Sequence, residues 1–322
     1  MKTIVKPLAA VTTIGMFLVL VMGSAVTNTG SEQGCGKSWP LCHGQLIPQF
    51  AVATFIEFSH RAVVGVETVL ILGLAALTVS LYWHRLEARI LVPLMVGFLF
   101  LQAGLGAWAV MYPQLAAALA LHFGVSLIAF ASVLLTTVFI FEADGVERLR
   151  ERPIPRAFRR AAWGLAGYSY IVVYLGAYVR HTDADEACSG WPLCNGKLVP
   201  GLTGEVGANF IHRVAASLLV LAVLGLLGWS WRMRLERPDL FKACAIALSM
   251  VILQALSGAV VVLTRLDLFS ALAHAALAGL LFGSLAYLCM HVMPRSAGAG
   301  AVDMQRSPAT SQPVAGTATI QR

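Results

Sequence analysis

Long apolar stretches separated by short polar segments dominate the hydropathy pattern of the chain. A helix that crosses a bilayer needs about 20 mostly apolar residues. Eight segments meet this requirement: 7–26, 58–83, 91–111, 115–141, 161–180, 209–231, 241–263 and 269–292. The pattern therefore predicts an all-α polytopic membrane protein with eight transmembrane helices.

Composition and charge support a membrane location. Only 12% of the residues are charged, whereas a soluble domain carries roughly a quarter. If the N-terminus is cytoplasmic, alternating spans place 17 of the 23 Lys and Arg residues on the inside and 6 on the outside. This is the positive-inside bias. The net charge of +7 thus reflects topology, with both termini cytoplasmic, and we expect no nucleic-acid partner.

An internal repeat divides the chain into two halves. Trp39-Pro40-Leu41-Cys42 returns as Trp191-Pro192-Leu193-Cys194, and other rare residues recur at the same offset of 152. We predict an N-terminal four-helix repeat (1–145), a basic cytoplasmic linker (146–160), a C-terminal four-helix repeat (161–295) and a disordered cytoplasmic tail (296–322). Segment 7–26 resembles a signal peptide, but its counterpart 161–180 belongs to the mature chain, so the first helix is retained. The halves are expected to be parallel repeats, related by an axis along the membrane normal.

Four histidines fall in equivalent positions inside the spans. His60 and His122 lie toward the outer ends of spans two and four, and His212 and His274 repeat them in spans six and eight. Parallel helices with histidines at one depth can supply two axial imidazoles to a heme iron. Two ligands are too few for zinc. A copper site, or histidines that only hydrogen-bond to neighbouring carbonyls, are the alternatives.

The halves differ beside the first histidine of each pair. Glu57 lies three residues before His60, on the same helix face, and its counterpart is Asn209. This difference predicts that the first half performs proton-coupled chemistry and that the second holds a fixed redox heme. A structural contact of Glu57 with Arg61 is the alternative. Glu67, opposite Leu219 in the repeat, is either a proton relay or a structural hydrogen-bonding group.

Arginines and cysteines complete the repeated pattern. Arg61 and Arg213 directly follow their histidines, and they either bind heme propionates or extend to the membrane interface. Cys35 with Cys42, and Cys188 with Cys194, fit one local disulfide in an outer loop of each half. Each disulfide is either a structural link or, for the first pair, a site of electron or thiol exchange. Cys244 and Cys289 are expected to be apolar fillers.

Taken together, these motifs resemble the bacterial heme A synthase family over nearly the whole chain. The resemblance rests on eight spans in two repeats, on Glu57-Phe58-Ser59-His60-Arg61, on the other three histidines and on the paired loop cysteines. It implies that a methyl group of heme O is oxidised to a formyl group in two water-dependent steps. It also implies substrate heme O between His60 and His122, heme B between His212 and His274, and Glu57 as the essential acid.

The resemblance also implies a setting and partners. We expect a bacterial cell membrane protein that works with heme O synthase (protoheme farnesyltransferase) and oxidase assembly factors, and that can form homo-oligomers. Two other functional classes remain open at this stage. One is a bis-histidine cytochrome for quinol-linked electron transfer, and the other is a heme carrier or assembly factor without catalytic activity.

Overall fold

Eight long helices form the regular structure of the described part of the chain. The computed structural model describes residues 2–112, 115–142 and 152–293. Its helices are α1 (Lys2–Asn28), α2 (Val52–Tyr82), α3 (Leu86–Met111), α4 (Ala116–Glu142), α5 (Arg156–His181), α6 (Gly204–Arg232), α7 (Pro238–Leu263) and α8 (Leu268–Val292). The first part of the predicted linker (146–151) and the predicted tail (296–322) lie outside the described residues.

Each of the eight helices is long and apolar enough to cross a membrane. This confirms the predicted all-α polytopic class. Helix α2 begins six residues before the predicted span, and α6 begins five residues before it. The hydropathy criterion detects only the lipid-embedded stretch, whereas the helices continue into the polar interface. As a result Glu57 and Asn209 lie within regular helix.

Helices within each half pack side by side. Helix α1 contacts α2 and α4, and α3 contacts α2 and α4; in the same way α5 contacts α6 and α8, and α7 contacts α6 and α8. Two separate cores follow, one around Leu74 and Phe130 and the other around Leu219 and Leu285. The symmetry axis between the halves remains a prediction.

The two halves meet along α1, α4, α5 and α8. Helix α4 contacts α5 and α8, and α1 contacts α8. The most apolar window of α4 is 72% buried, whereas the corresponding windows of the other spans are only 17–39% buried. Helix α4 therefore occupies the centre of the protein, and most other helices have a side that faces lipid.

A buried ionic cluster lies at the end of the second half where α7 begins and α8 ends. Arg237 precedes α7, is 2% exposed and donates to both carboxylate oxygens of Asp239 at 3.0 and 2.8 Å. It also donates to the carbonyl oxygens of Arg152 and His291. One guanidinium thus joins the end of the linker to the start of α7 and the end of α8.

Candidate functional site

The four intramembrane histidines occupy matching places in the two halves. His60 is on α2 and His122 on α4, close enough to interact electrostatically, and the same is true of His212 on α6 and His274 on α8. All four imidazoles are half-buried. Each predicted pair is thus within electrostatic reach, and joint ligation of one iron by its two imidazoles remains a prediction. Among the described residues there is no cluster of three or more His, Cys, Asp or Glu side chains suited to a metal ion.

A glycine on the preceding helix faces each imidazole. A Cβ atom added at these glycines would lie 2.8–3.4 Å from the imidazole Cε1 atom. The pairs are Gly23 with His60, Gly106 with His122, Gly176 with His212, and Gly258 with His274. The glycines let each ring lie directly against the neighbouring backbone, so the four rings share a common placement. We call these four residues the facing glycines.

The imidazoles have unfilled hydrogen-bonding capacity. The Nδ1 atoms of His60, His122 and His212 are buried and have no partner among the described residues. A neutral imidazole has one donor and one acceptor nitrogen, and buried polar atoms are normally paired. Half-buried rings with unused nitrogens suit axial ligation of a heme, which supplies its own four equatorial nitrogens.

Two glutamines contact the second histidine of each pair. The Gln102 amide nitrogen lies 3.2 Å from Nε2 of His122, and that of Gln254 lies 3.3 Å from Nε2 of His274. An amide N–H that donates to Nε2 occupies the lone pair that a metal would bind, so ligation through Nε2 requires the glutamine side chain to move away. The exact offset of 152 between the glutamines was the available signal. Ser257 adds a contact to Nδ1 of His274 at 2.8 Å.

Glu57 is buried and held from two directions. It is 3% exposed, its Oε2 accepts a hydrogen bond from the backbone N–H of Cys35 at 2.7 Å, and its Oε1 is ion-paired with Arg61. A carboxylate has about four lone-pair sites, so it can still accept a proton or a water. The contact with Arg61, which the sequence analysis gave as the structural alternative for Glu57, is therefore present.

The second half repeats this arrangement without the charge. The Asn209 side chain is 5% exposed, accepts from Nε of Arg213 at 2.8 Å and donates to the carbonyl oxygen of Ala184 at 2.8 Å. The Asn209 amide thus occupies the place that Glu57 has in the first half. It donates a hydrogen bond to its loop, whereas Glu57 accepts one. It gives the second site no proton acceptor at this position.

The two arginines bind the outer loops. Arg61 donates to the carbonyl oxygens of Ser38 and Leu41, and Arg213 to those of Cys188, Gly190 and Leu193. Each guanidinium thereby fixes a loop over its histidine. Contact with heme propionates remains a prediction.

Both loops are closed by a disulfide. Cys35 is bonded to Cys42, and Cys188 to Cys194, whereas Cys244 and Cys289 are buried free thiols. In each loop the residue after the second cysteine has a positive φ of 52° and is followed by a glycine, namely His43-Gly44 and Asn195-Gly196. The two loops therefore share one backbone path, and the first presents the Cys35 N–H to Glu57.

Charged groups at the outer face adjoin the first site. Burial raises the pKa of the Glu32 carboxyl above its ordinary value, and the Glu57 charge adds to this while Arg180 opposes it. Burial also raises the pKa of Asp185, which faces Arg180 at 3.4 Å. His181, at the end of α5, is within electrostatic reach of His122. The repeat gave no signal for His181, because the residue at the offset of 152 is Thr29.

Comparison with known proteins gives a consistent family. Residues 47–286 match the COX15-CtaA family, described as cytochrome oxidase assembly protein. The chain is 43% identical to heme A synthase of Symbiobacterium thermophilum, covering 87% of this chain and 92% of that protein. It is 43% identical to heme A synthase of Bacillus licheniformis (91% and 97% covered) and 41% identical to that of Geobacillus kaustophilus (90% and 92% covered). Since these matches span Glu57 and all four histidines, the chain belongs to the COX15-CtaA family, among whose members are the bacterial heme A synthases.

Proposed function

We propose that this protein is a heme A synthase that oxidises a methyl group of heme O to a formyl group in a bacterial cell membrane. The names of its relatives support the activity, and eight membrane-crossing helices support the location. The observation that carries the proposal is the unequal pair of sites. Two histidine pairs share one geometry, yet only the first has a buried carboxylate, Glu57, beside it.

The chemistry needs a proton acceptor at the reacting site. Conversion of a methyl group to a formyl group with water as the oxygen source releases four protons and four electrons in two steps. The electrons leave to an acceptor outside the chain. Glu57 is the group placed to accept protons, since two donors orient it and lone pairs remain free. His60 and His122 hold the substrate by its iron.

The second site holds a resident heme B in this proposal. His212 and His274 provide the imidazoles, Gly176 and Gly258 let them lie close to the backbone, and Ser257 orients His274 through Nδ1. Bound heme B would supply one-electron redox chemistry. The protein's part is to keep the ring in an apolar setting without a proton acceptor beside it, because Asn209 replaces Glu57 of the first half.

The outer loop and the partners follow from the same proposal. Arg61 and the Cys35–Cys42 loop act as a cover that positions Glu57. Heme O reaches the site from an enzyme that attaches the isoprenoid chain, which is heme O synthase, and heme A leaves toward oxidase assembly factors. Association with another copy of the chain is also part of the proposal.

A direct test is expression in a host that makes heme O but no heme A, followed by extraction and mass analysis of the protein's hemes. We expect heme B together with hydroxylated and formylated heme. Glu57→Gln should bind both hemes yet form at least about 100-fold less product, the size of a lost general base. Asn209→Ala is the matched control, and it should form as much oxidised heme as the wild-type protein.

Three results would contradict the proposal. Two permanent B hemes would indicate an electron-transfer cytochrome. Bound heme O that is never oxidised would indicate a carrier. Undiminished product in Glu57→Gln would remove Glu57 from the mechanism.

A further inference from the structure

Glu67 is a buried acid in the middle of α2. It is the middle residue of the 31-residue α2, with 15 helical residues on each side, and it is 2% exposed. Its Oε1 atom is buried and has no partner among the described residues. Burial of a polar group without a partner is costly, and intramembrane acids commonly serve a function. The side chain is therefore available for a ligand.

The carboxyl group lies on the same face of α2 as His60, two turns deeper. Seven residues correspond to a rise of about 10 Å and nearly two complete turns. Both side chains lean toward the N-terminus of α2, so this separation along the helix axis is kept. Helix α1 confirms the shared face, because Gly23 lies against His60 and Gly15 lies against the Glu67 carboxylate.

Two buried acids flank His60 along α2. Glu57 lies three residues before it and Glu67 seven residues after it, and no residue of α2 between these two acids is fully buried. A macrocycle held by His60 and extending along the helix axis would therefore reach toward Glu67.

The equivalent position of the second half is apolar. Leu219 is 2% exposed and lies in the core of that half. The two sites thus differ twice: at the outer edge by Glu57 against Asn209, and at the inner edge by Glu67 against Leu219. The outer difference accounts for chemistry, but the inner one has no part in it.

We propose that Glu67 binds the hydroxyl group on the isoprenoid-bearing side chain of heme O, and so selects heme O over heme B at the first site. This inference rests on the proposed function. Heme O carries the hydroxylated chain where heme B has a vinyl group, on the macrocycle edge opposite the propionates. With the propionates toward the polar outer surface, that edge faces the middle of the membrane. A carboxyl group can both accept from and donate to a hydroxyl group. Leu219 suits heme B, which has no hydroxyl group.

The test compares Glu67→Leu, which copies the second half, with the isosteric Glu67→Gln. Full-length proteins are produced in a host that makes both hemes, purified, and their hemes extracted and counted per chain. Heme B in the second site serves as the internal measure of folding. A site that hydrogen-bonds a substrate hydroxyl discriminates against the analogue without it. We expect Glu67→Leu to contain at least about fivefold less heme O and its products than wild type, relative to heme B, because a buried group loses its partner. Glu67→Gln should stay within about twofold of wild type, because an amide keeps a donor and an acceptor.

Two outcomes overturn the inference. One is an unchanged ratio of heme O to heme B in Glu67→Leu. The other is normal heme O content with blocked oxidation in Glu67→Gln, which would make Glu67 a proton carrier. A wild-type protein that never oxidises heme O would instead refute the proposed function. If wild type forms heme A and Glu67→Leu matches its heme content, only the role of Glu67 fails.

Discussion

At the scale of single residues, the site is defined by small differences between otherwise repeated positions. Glu57 and Asn209 occupy the same place beside an arginine and a loop, yet the carboxylate accepts from a backbone N–H where the amide donates to a carbonyl. The sequence alone predicted this contrast, because the offset of 152 aligns the two residues. It could not predict the Cys35 N–H contact, which depends on how the loop folds back over α2.

The facing glycines permit a test of the second site. A Cβ atom at Gly176 would lie 2.8 Å from Cε1 of His212, closer than real Cβ atoms approach other atoms. Gly176→Ala should therefore displace the imidazole and weaken heme binding roughly 10- to 100-fold, as loss of an orienting contact does. Heme absorbance per chain measures this. Gly167→Ala, on the same helix with no described atom within 4 Å, is the control. Equal heme content in both variants would show that close approach is unnecessary.

At the scale of helices, hydropathy predicted the spans but not the features that make them sites. Each span was located within a few residues, because about 20 apolar residues are needed to cross lipid. The facing glycines were not predicted, since a glycine in an apolar helix has no distinguishing pattern until its neighbour is known. The contacts of Arg237 were also invisible, because its partners Arg152 and His291 are 85 and 54 residues away.

The buried Arg237 cluster should be important for the stability of the second half. Removal of one member of a buried ion pair leaves the other uncompensated, at a cost of about 3–5 kcal/mol. Arg237→Ala should lower the free energy of unfolding by about this amount, as measured by denaturation in detergent micelles. The exposed Arg234 is the matched control, and Arg234→Ala should change stability by less than about 1 kcal/mol. Similar losses in the two variants would contradict a special role for burial.

At the scale of the whole molecule, charged groups are concentrated at the two membrane surfaces and the interior is apolar. The outer face has a half-buried acid, Glu32, beside Arg180 and within reach of the Glu57 charge. Composition predicted the membrane-spanning class, and the orientation inferred from the charge bias remains a prediction. Neither indicated which surface acids would be buried, because that depends on the way in which the halves meet.

Glu32 predicts a pH dependence of stability. Burial raises the pKa of its carboxyl in the folded protein above the ordinary 4.5. The unfolded chain therefore loses its proton first as the pH rises, and the folded state loses stability between pH 4.5 and the folded pKa. The glutamine side chain of Glu32→Gln does not titrate, so this variant does not lose stability in this pH range. Its unfolding temperature relative to wild type should rise from pH 4 to pH 8, and a constant difference would contradict the burial effect.

The central place of α4 gives the two imidazoles of the first site unequal freedom. His122 lies on α4, whose most apolar window is 72% buried, whereas His60 lies on α2, whose most apolar window is only 28% buried. If heme O enters and leaves the proposed first site, one of the two helices has to move. Helix α4 is enclosed by its neighbours, so α2 is the helix that is free to do so. We therefore expect His122 to stay in place and His60 to move with α2. Heme O is then expected to enter and leave on the lipid-facing side of α2 and not through the centre of the protein.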